Sequence, residues 1–413
     1  MFFPKRIKSA TAKTLKSSLK MDFNNLGSNF LKQTNVQKVG NSIISSFGFE
    51  KHVYDKEIYK VISSVNGMIV ALLVANAIYA IDDTFIEYPV AKEKLNKIVG
   101  CVKYQDQLVV SCTFGTCCTK DGMKVNRITT QYFPSLAVCY DRIFGVSGKD
   151  LYMTDAGDIS AWDNDLTINA HTPLDAVVTL DKLYVLGDTC YSLTPNAEEI
   201  NMKFVPFCFG IGAVQTESVV AFEKYAVFAS TNGLYKLTSN TVTPIFTNIC
   251  DYINFDGCVA CLHNGKYFVT CKRKDGDMTN DILLVLDTDS EKIVSVLDVK
   301  AQHISSIDGK LYAVINNKLY FASDVDVESS YVDTVDFGCS NVKYLDKLFI
   351  RTKTDVDVWI DNGVEKRRYR VLGKNSVQSV PLTGSGHQFT VEVQARNGLK
   401  LDCVELTART YEV

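Results

Sequence analysis

The chain has 413 residues, 46% of them hydrophobic and 22% charged, with a formal net charge of −3. That is ample apolar material for one large β-domain or two to three ordinary ones. It is neither an intrinsically disordered composition nor, as a whole, the basic balance of a nucleic-acid binder. Aromatics reach 11%, rich in Tyr and Phe, which favours strands.

The chain starts basic. Lys5, Arg6, Lys8, Lys13, Lys16 and Lys20 all precede the first acid, Asp22. No uninterrupted apolar core follows them, so a secretory signal is not expected. Ile7, Leu15 and Leu19 fit one weak helical stripe. Residues 1–60 read as an N-terminal arm and docking segment, with Lys5, Arg6, Lys8 and Lys13 as candidate interface residues. The arm is expected to order against a neighbouring subunit. Contact with nucleic acid or an anionic membrane is the alternative, weakened by how few apolar residues the arm offers.

From residue 61 one phrase recurs. In "SSIDGKLYAVINNKLYFAS" (Ser305–Ser323), Lys-Leu-Tyr stands on both sides of Asn316-Asn317. Asn tolerates the positive φ of a two-residue type I′ turn, so this predicts a hairpin. Both its faces are apolar: Leu311, Ala313 and Ile315 on one, Tyr312 and Val314 on the other. A sheet covered on one side alternates with polar residues, so this hairpin is expected to be covered on both. Similar phrases begin at Asn66, Asp106, Asp141, Asp181, Glu223, Asn264, Asp308 and Asp346, at intervals of 35 to 44 residues. A period near forty with a hairpin per unit predicts an all-β chain with a β-propeller of six to eight blades over residues 61–353. The apolar run Met68–Ile81 is too short for a membrane helix and contains Asn76. Most of the thirteen cysteines lie in apolar strand-like runs and read as reduced, buried thiols made in a cytosol. Residues 354–413 alternate more strictly, with Phe389, Val391 and Val393 against Thr390, Glu392 and Gln394, and predict an antiparallel β-module with one solvated face.

Chemistry is sparse. None of the five histidines forms a metalloprotease motif, and no nucleophile elbow or phosphate loop is present. Cys258, Cys261 and His263 read as strand residues. A zinc site with Cys250 or Cys271 as fourth ligand lacks a second Cys-x-x-Cys. Asp275, Asp277 and Asp281 have calcium-like spacing but no later bidentate Glu, so an exposed turn is the reading. "TDAGDISAWDN" resembles a degraded Asp box of sialidase propellers, with Asp155, Gly157 and a late Trp162, while the arginine cluster a sialidase needs is missing from the repeat. No enzyme activity, cofactor or metal is expected. Arg367, Arg368 and Arg370 alternate with Tyr369 and Val371, as a rim patch of an interface or as a solvated strand face.

"KDLYMTDAGDISAWDN" (Lys149–Asn164) and "NKLYFASDVDVESSYVD" (Asn317–Asp333) each run from a Leu-Tyr strand to a small residue, then acids, then an aromatic. The second lacks the glycine, and its aromatic is Tyr331. With the C-terminal "RRYRVLGKNSVQSVPLTGSGHQFTVEVQARNGLKLDCVELTARTYEV", the chain resembles the tail nozzle or hub proteins of short-tailed bacteriophages, among them the packaged-DNA stabilisation and tail tubular types. The resemblance covers most of the chain and carries no site residue. It implies a structural virion protein made in the bacterial host cytoplasm and placed in the tail. There it would form a homo-oligomeric ring, usually sixfold, below the head–tail adaptor protein. Tail fibre or needle proteins are further implied partners, with genomic DNA passing through the ring without sequence-specific binding and no membrane anchor. The rival expectation is a cellular β-propeller scaffold or a carbohydrate- or protein-binding module.

Overall fold

The structure is a computed structural model and describes residues 11–19, 21, 32–51, 57–65, 68–73, 78–81, 87–89, 98–112, 115–120, 126–163, 168, 170–194, 203–239, 241–274, 276, 280–323 and 327–412. Lys5, Arg6 and Lys8 lie outside the described residues, as do Asp275 and Asp277. The chain divides into two compact units. One comprises residues 49–292 and 299–323; the other comprises 1–48, 293–298 and 324–413.

The first unit is the β-propeller. Among the described residues it holds six four-stranded antiparallel sheets, over 58–89, 98–129, 135–163, 174–209, 220–245 and 301–323 with Gly48–Lys51. A seventh is built on Ala260–His263, Lys266–Arg273 and Ile282–Asp287, and stands sixth in chain order. The recurring anchors explain themselves. Asn264-Gly265 and Asp308-Gly309, all at positive φ, are the two-residue turns between first and second strands. Tyr140-Asp141 makes the same turn, and Asn316-Asn317 makes it one strand later, at φ 51° and 59°. What repeats in the sequence is therefore a tight turn, left-handed at Gln105, Tyr140-Asp141, Asn264-Gly265 and Asp308-Gly309, followed by an apolar strand.

Burial on both faces is direct. In Leu183–Gly187, Leu183 and Val185 pack with Ala137, Leu151 and Met153 of the preceding sheet. Tyr184 and Leu186 pack with Ala226 and Phe228 of the following one. The last and first sheets meet in the same way, through Tyr312, Val314 and Leu319 against Ile58 and Val61. The ring is closed by the chain's early segment. Gly48–Lys51 is the outer strand of the last sheet, and Ile58 N donates to Asn317 O at 2.8 Å.

The second unit is antiparallel throughout. One sheet orders Lys292–Leu297, Val36–Val39, Ser42–Ser45, Lys400–Glu412, Lys343–Thr352 and Gln378–Pro381. The other orders Ser329–Val335, Phe389–Ala395, Val356–Asp361 and Lys366–Val371. Phe389, Val391 and Val393 are buried while Thr390, Glu392 and Gln394 are half-buried, as the alternation predicts. The phrase at Asp346, which the period left open as a further blade or as the entry to another module, is the latter: it lies inside Lys343–Thr352, a long strand of this second unit, so the propeller unit ends at Ser323 rather than at residue 353. The described start of the chain, Thr11–Ser18, is a strand rather than part of a helical stripe, and it pairs within its own chain rather than with a neighbour. Thr11–Ser18 pairs along Lys400–Glu412 from Thr11↔Glu412 to Ser18↔Glu405, and Leu19, 6% exposed, donates from its N to Val404 O. Among the described residues, the edge of the thirteen-residue strand Lys400–Glu412 away from Lys343–Thr352 is covered by Thr11–Ser18 along most of its length and by Ser42–Ser45 at its start, and an uncovered edge is costly.

Leu311 is 2% exposed on the second strand of the last blade. Leu311→Ala should lower the unfolding free energy by about 2–5 kcal/mol in urea melts. A cost within about 0.5 kcal/mol, typical of surface sites, would contradict the two-sided packing.

Candidate functional site

The first strands of the blades pack in succession: Ile98–Tyr104 on Ser135–Cys139, then Leu174–Thr179, Val220–Ala221, Ala260–His263, Ala301–Ile307 and Ile58–Val65. They enclose a central cavity of about 240 Å³ that all seven blades help to line. Its polar members come from distant parts of the chain. Lys60 stands on the first strand of blade one, His303 on that of blade seven, and Glu217 on the Thr216–Ser218 turn before blade five. Lys60 donates to Glu217 across the channel, between blades that are not neighbours. The Lys60 side chain is 10% exposed and that of Glu217 39%. His303 is 7% exposed and its Nδ1 has no hydrogen-bond partner. Burial, helped by Lys60, pushes its pKa down to about 3 despite the opposing pull of Glu217. The imidazole is therefore neutral at pH 7, and the charges in the channel cancel as a pair.

The cysteine cluster has the chemistry of packing. Burial pushes the Cys261 thiol up to about 12 and raises Cys258, which works against the thiolate a metal needs. His263 spends Nδ1 on Ser306 Oγ at 3.0 Å and Nε2 on Asn264 Nδ2 at 3.1 Å. Among the described residues no group of three or more His, Cys, Asp and Glu is placed to hold a metal ion. Asp281 serves its own hairpin, accepting from Arg273 N at 2.9 Å. The degraded Asp box is a turn: Gly157, at φ 75°, donates to Asp141 O and Tyr104 Oη. Trp162 stacks on Phe133 at 4.5 Å.

The arginines predicted as one patch are split. Strand alternation puts Arg367 beside Leu345, Ile360 and Phe389, where it binds Glu365 and Thr383. Arg368 and Arg370 lie on the opposite, solvated face of the same strand. There Arg370 stands across from Asp357, Arg368 from Trp359 and Lys366 from Asp361. Arg368 donates to Asp357 Oδ2 at 2.6 Å and lies over the Trp359 ring, 5.7 Å from its centroid. Lys366 pairs with Glu392 at 2.7 Å, and Trp359 Nε1 donates to Gln394 Oε1 at 3.0 Å. At one end of this face Arg368, Arg370 and Arg396 line a cavity of about 430 Å³ with Asp355 and Asp357. Sequence reasoning missed Arg396 because it reaches the cluster from a different strand end. Lys13 sits apart from the arginines, opposite Thr410 on the N-terminal strand.

No family model and no curated protein matches the chain. Solved structures resemble it in fold. The extracellular domain of BT4673 from B. thetaiotaomicron is 8% identical over 84% of this chain and 58% of that one, with a TM-score of 0.52. The WD40 β-propeller domain of Doa1 is 11% identical over 67% of this chain and 96% of that one, at 0.44. BamB from Moraxella catarrhalis is 10% identical over 76% and 97%, also at 0.44. Identities this low speak of fold alone, and the fold is the β-propeller.

Two outcomes follow for the channel. Glu217→Gln leaves the Lys60 charge uncompensated and should cost about 1–3 kcal/mol in urea melts, less than a fully buried pair because Glu217 is part-exposed. The double change Lys60→Met with Glu217→Leu should recover most of that loss, and an additive double mutant would rule out the coupling. For His303, the unfolded chain takes up its proton near pH 6.5 and the folded chain only near pH 3, so this residue withdraws stability as pH falls between the two. The slope approaches about 1.4 kcal/mol per pH unit. His303→Gln should flatten the pH dependence measured between pH 6.5 and 4.5; an unchanged slope would show that His303 does not set it.

Proposed function

We propose that this chain is a structural protein of a short-tailed phage tail, forming a ring below the head–tail adaptor that helps retain and conduct the genome. In this reading it is made in the host cytoplasm, resides in the virion tail, contacts the adaptor and the fibre or needle proteins, and carries out no catalysis. The likeness of Lys149–Asn164, Asn317–Asp333 and the C-terminal segment to that family motivates it. The observation that carries it is the state of the propeller channel. A cavity of about 240 Å³, bridged by Lys60 and Glu217 and charge-compensated, has no room for a duplex. DNA would therefore pass along the axis of an oligomer. With a net charge of −3 the chain would hold phosphates weakly there, as a conduit requires. The second reading, a cellular propeller scaffold or binding module, is favoured by the fold likeness to the BT4673 extracellular domain.

Native mass spectrometry and particle imaging of the purified chain separate the two. The tail reading expects a closed ring, with six 46.0 kDa chains as the leading number, and immunogold label at the tail of phage particles. A monomer at micromolar concentration, with no label on particles, would replace it with the cellular reading.

A further inference from the structure

Blade four carries two cysteines that its own strand pairing brings face to face. Cys190 on Thr189–Thr194 stands directly opposite Cys208 on Lys203–Phe209. Opposed residues of an antiparallel pair have Cα atoms about 4.5–5.5 Å apart, inside the roughly 4.4–6.8 Å that a disulfide spans. Both side chains turn to the same face, where they pack with Ala226 and Phe228 of the next blade. The thiols also sense one another. Burial pushes the Cys190 thiol up to about 12, against its contact with Gly187 O at 3.6 Å, and a negative charge on Cys208 raises it further. Access separates this pair from Cys258 and Cys271. Val259 O accepts from Thr270 N, which sets those two side by side, but they are 2% and 0% exposed. Cys190 is equally buried, whereas Cys208 is half-buried on the outer strand of its blade. The far edge of that strand pairs with no other strand among the described residues.

We propose that Cys190 and Cys208 form a reversible disulfide that staples the outer strand of blade four when the protein meets a hydroperoxide. Cys208 is the sulfur that an oxidant reaches. It attacks the peroxide O–O bond, keeps one oxygen as a sulfenic acid and releases the other as water. The Cys190 sulfur then attacks the Cys208 sulfur. The S–S bond forms, the S–O bond breaks, and the hydroxyl leaves with the Cys190 proton as a second water. Two electrons have passed from the sulfurs to the peroxide. The raised Cys190 thiol makes the second step slow, and the proximity of an opposed pair offsets that. A reducing cytosol keeps the pair open. The stapled strand carries Val205 and Phe209, 42% and 70% exposed, so the bridge keeps an apolar edge from peeling off the sheet. The proposal concerns the propeller alone and is independent of the tail reading.

The test is peptide mapping of the full folded chain after treatment with hydrogen peroxide at neutral pH, with free thiols alkylated in denaturant before digestion. A linked Cys190–Cys208 peptide pair, two hydrogens lighter than its parts and separated again by dithiothreitol, is expected. Cys190→Ala should leave Cys208 as a sulfenic acid that dimedone traps. Cys208→Ser should abolish the link. Cys250→Ser should keep it, although Cys250 and Cys208 both lie close enough to add to burial in raising the Tyr235 phenol. In the bridged form the amides of Lys203–Phe209 should exchange with solvent roughly a hundredfold more slowly, because a closed loop disfavours local opening. Thermal melts confirm that each variant is folded. Unlinked peptides after peroxide, a Cys208–Cys250 link in place of the expected one, a link that forms only in denaturant, or unchanged exchange in the bridged form would overturn the proposal.

Discussion

Leu183 and Val185 turn toward one neighbouring sheet while Tyr184 and Leu186 turn toward the other, and all four are fully buried. Strands of this kind have no face that can meet water. A sheet made of them must be sandwiched, and the sheets that sandwich it must be sandwiched in turn. An open row of such sheets always ends in two bare faces. A ring ends in none, so the ring is the only arrangement that satisfies every member at once. The Tyr312–Val314–Leu319 contact with Ile58 and Val61 removes the last two bare faces. It is chemically the same contact as those elsewhere in the ring, made between segments far apart in sequence.

This explains what the sequence made legible. Seven of the eight anchors lie just before the second strand of a sheet, because a tight turn there favours polar residues, Asn, Asp or Gly where it is left-handed as at Asn264-Gly265 and Asp308-Gly309, and the strand demands apolar residues on both faces. Local requirements repeated at each blade leave a periodic record. The eighth anchor at Asp346 met the same local rule inside Lys343–Thr352, and only the pairing partners of that strand distinguish it. That part of residues 20–60 joins the closing blade or the C-terminal sheet follows from the cost of open edges at both chain ends, and Gly48–Lys51 does the one while Val36–Val39 and Ser42–Ser45 do the other; which four residues close the ring was not legible. The role of Gly48–Lys51 comes from the sheet edge it meets rather than from its own composition. Thr11–Ser18 was misread for a related reason. Its Lys, Ser and Thr residues carry no period, and the template strand lies almost four hundred residues away.

Site residues follow the same division. The burial of the cysteines was readable from the apolar runs around them, and burial is the first cause that raises the Cys261 and Cys271 thiols. Arg368 and Arg370 were visible as an alternating pair, and alternation alone should have removed Arg367 to the other face. Lys60, Glu217 and His303 left no signal, because each is ordinary in its own strand or turn and only ring closure brings them to one axis. Arg396 was hidden likewise, at the end of a strand whose register against Val356–Asp361 decides its neighbours.

The two polar clusters differ in how their charges are spent. In the channel, one cation meets one anion and the nearby histidine is kept neutral by its burial. Such a pair is weak evidence of stability and better evidence of register: it couples blades that are not neighbours in the ring. A ligand entering there would have to break it, leave a charge uncompensated and displace nothing in return. On the solvated sheet face the balance is reversed. Arg368 satisfies half of Asp357, while Arg370 and Arg396 act on it by charge alone, with no hydrogen bond of their own among the described residues. Solvent exposure keeps the cost of holding those charges low. The two clusters thus differ in where each guanidinium or ammonium finds its counter-charge: across the channel from another blade, or in the water over a sheet face.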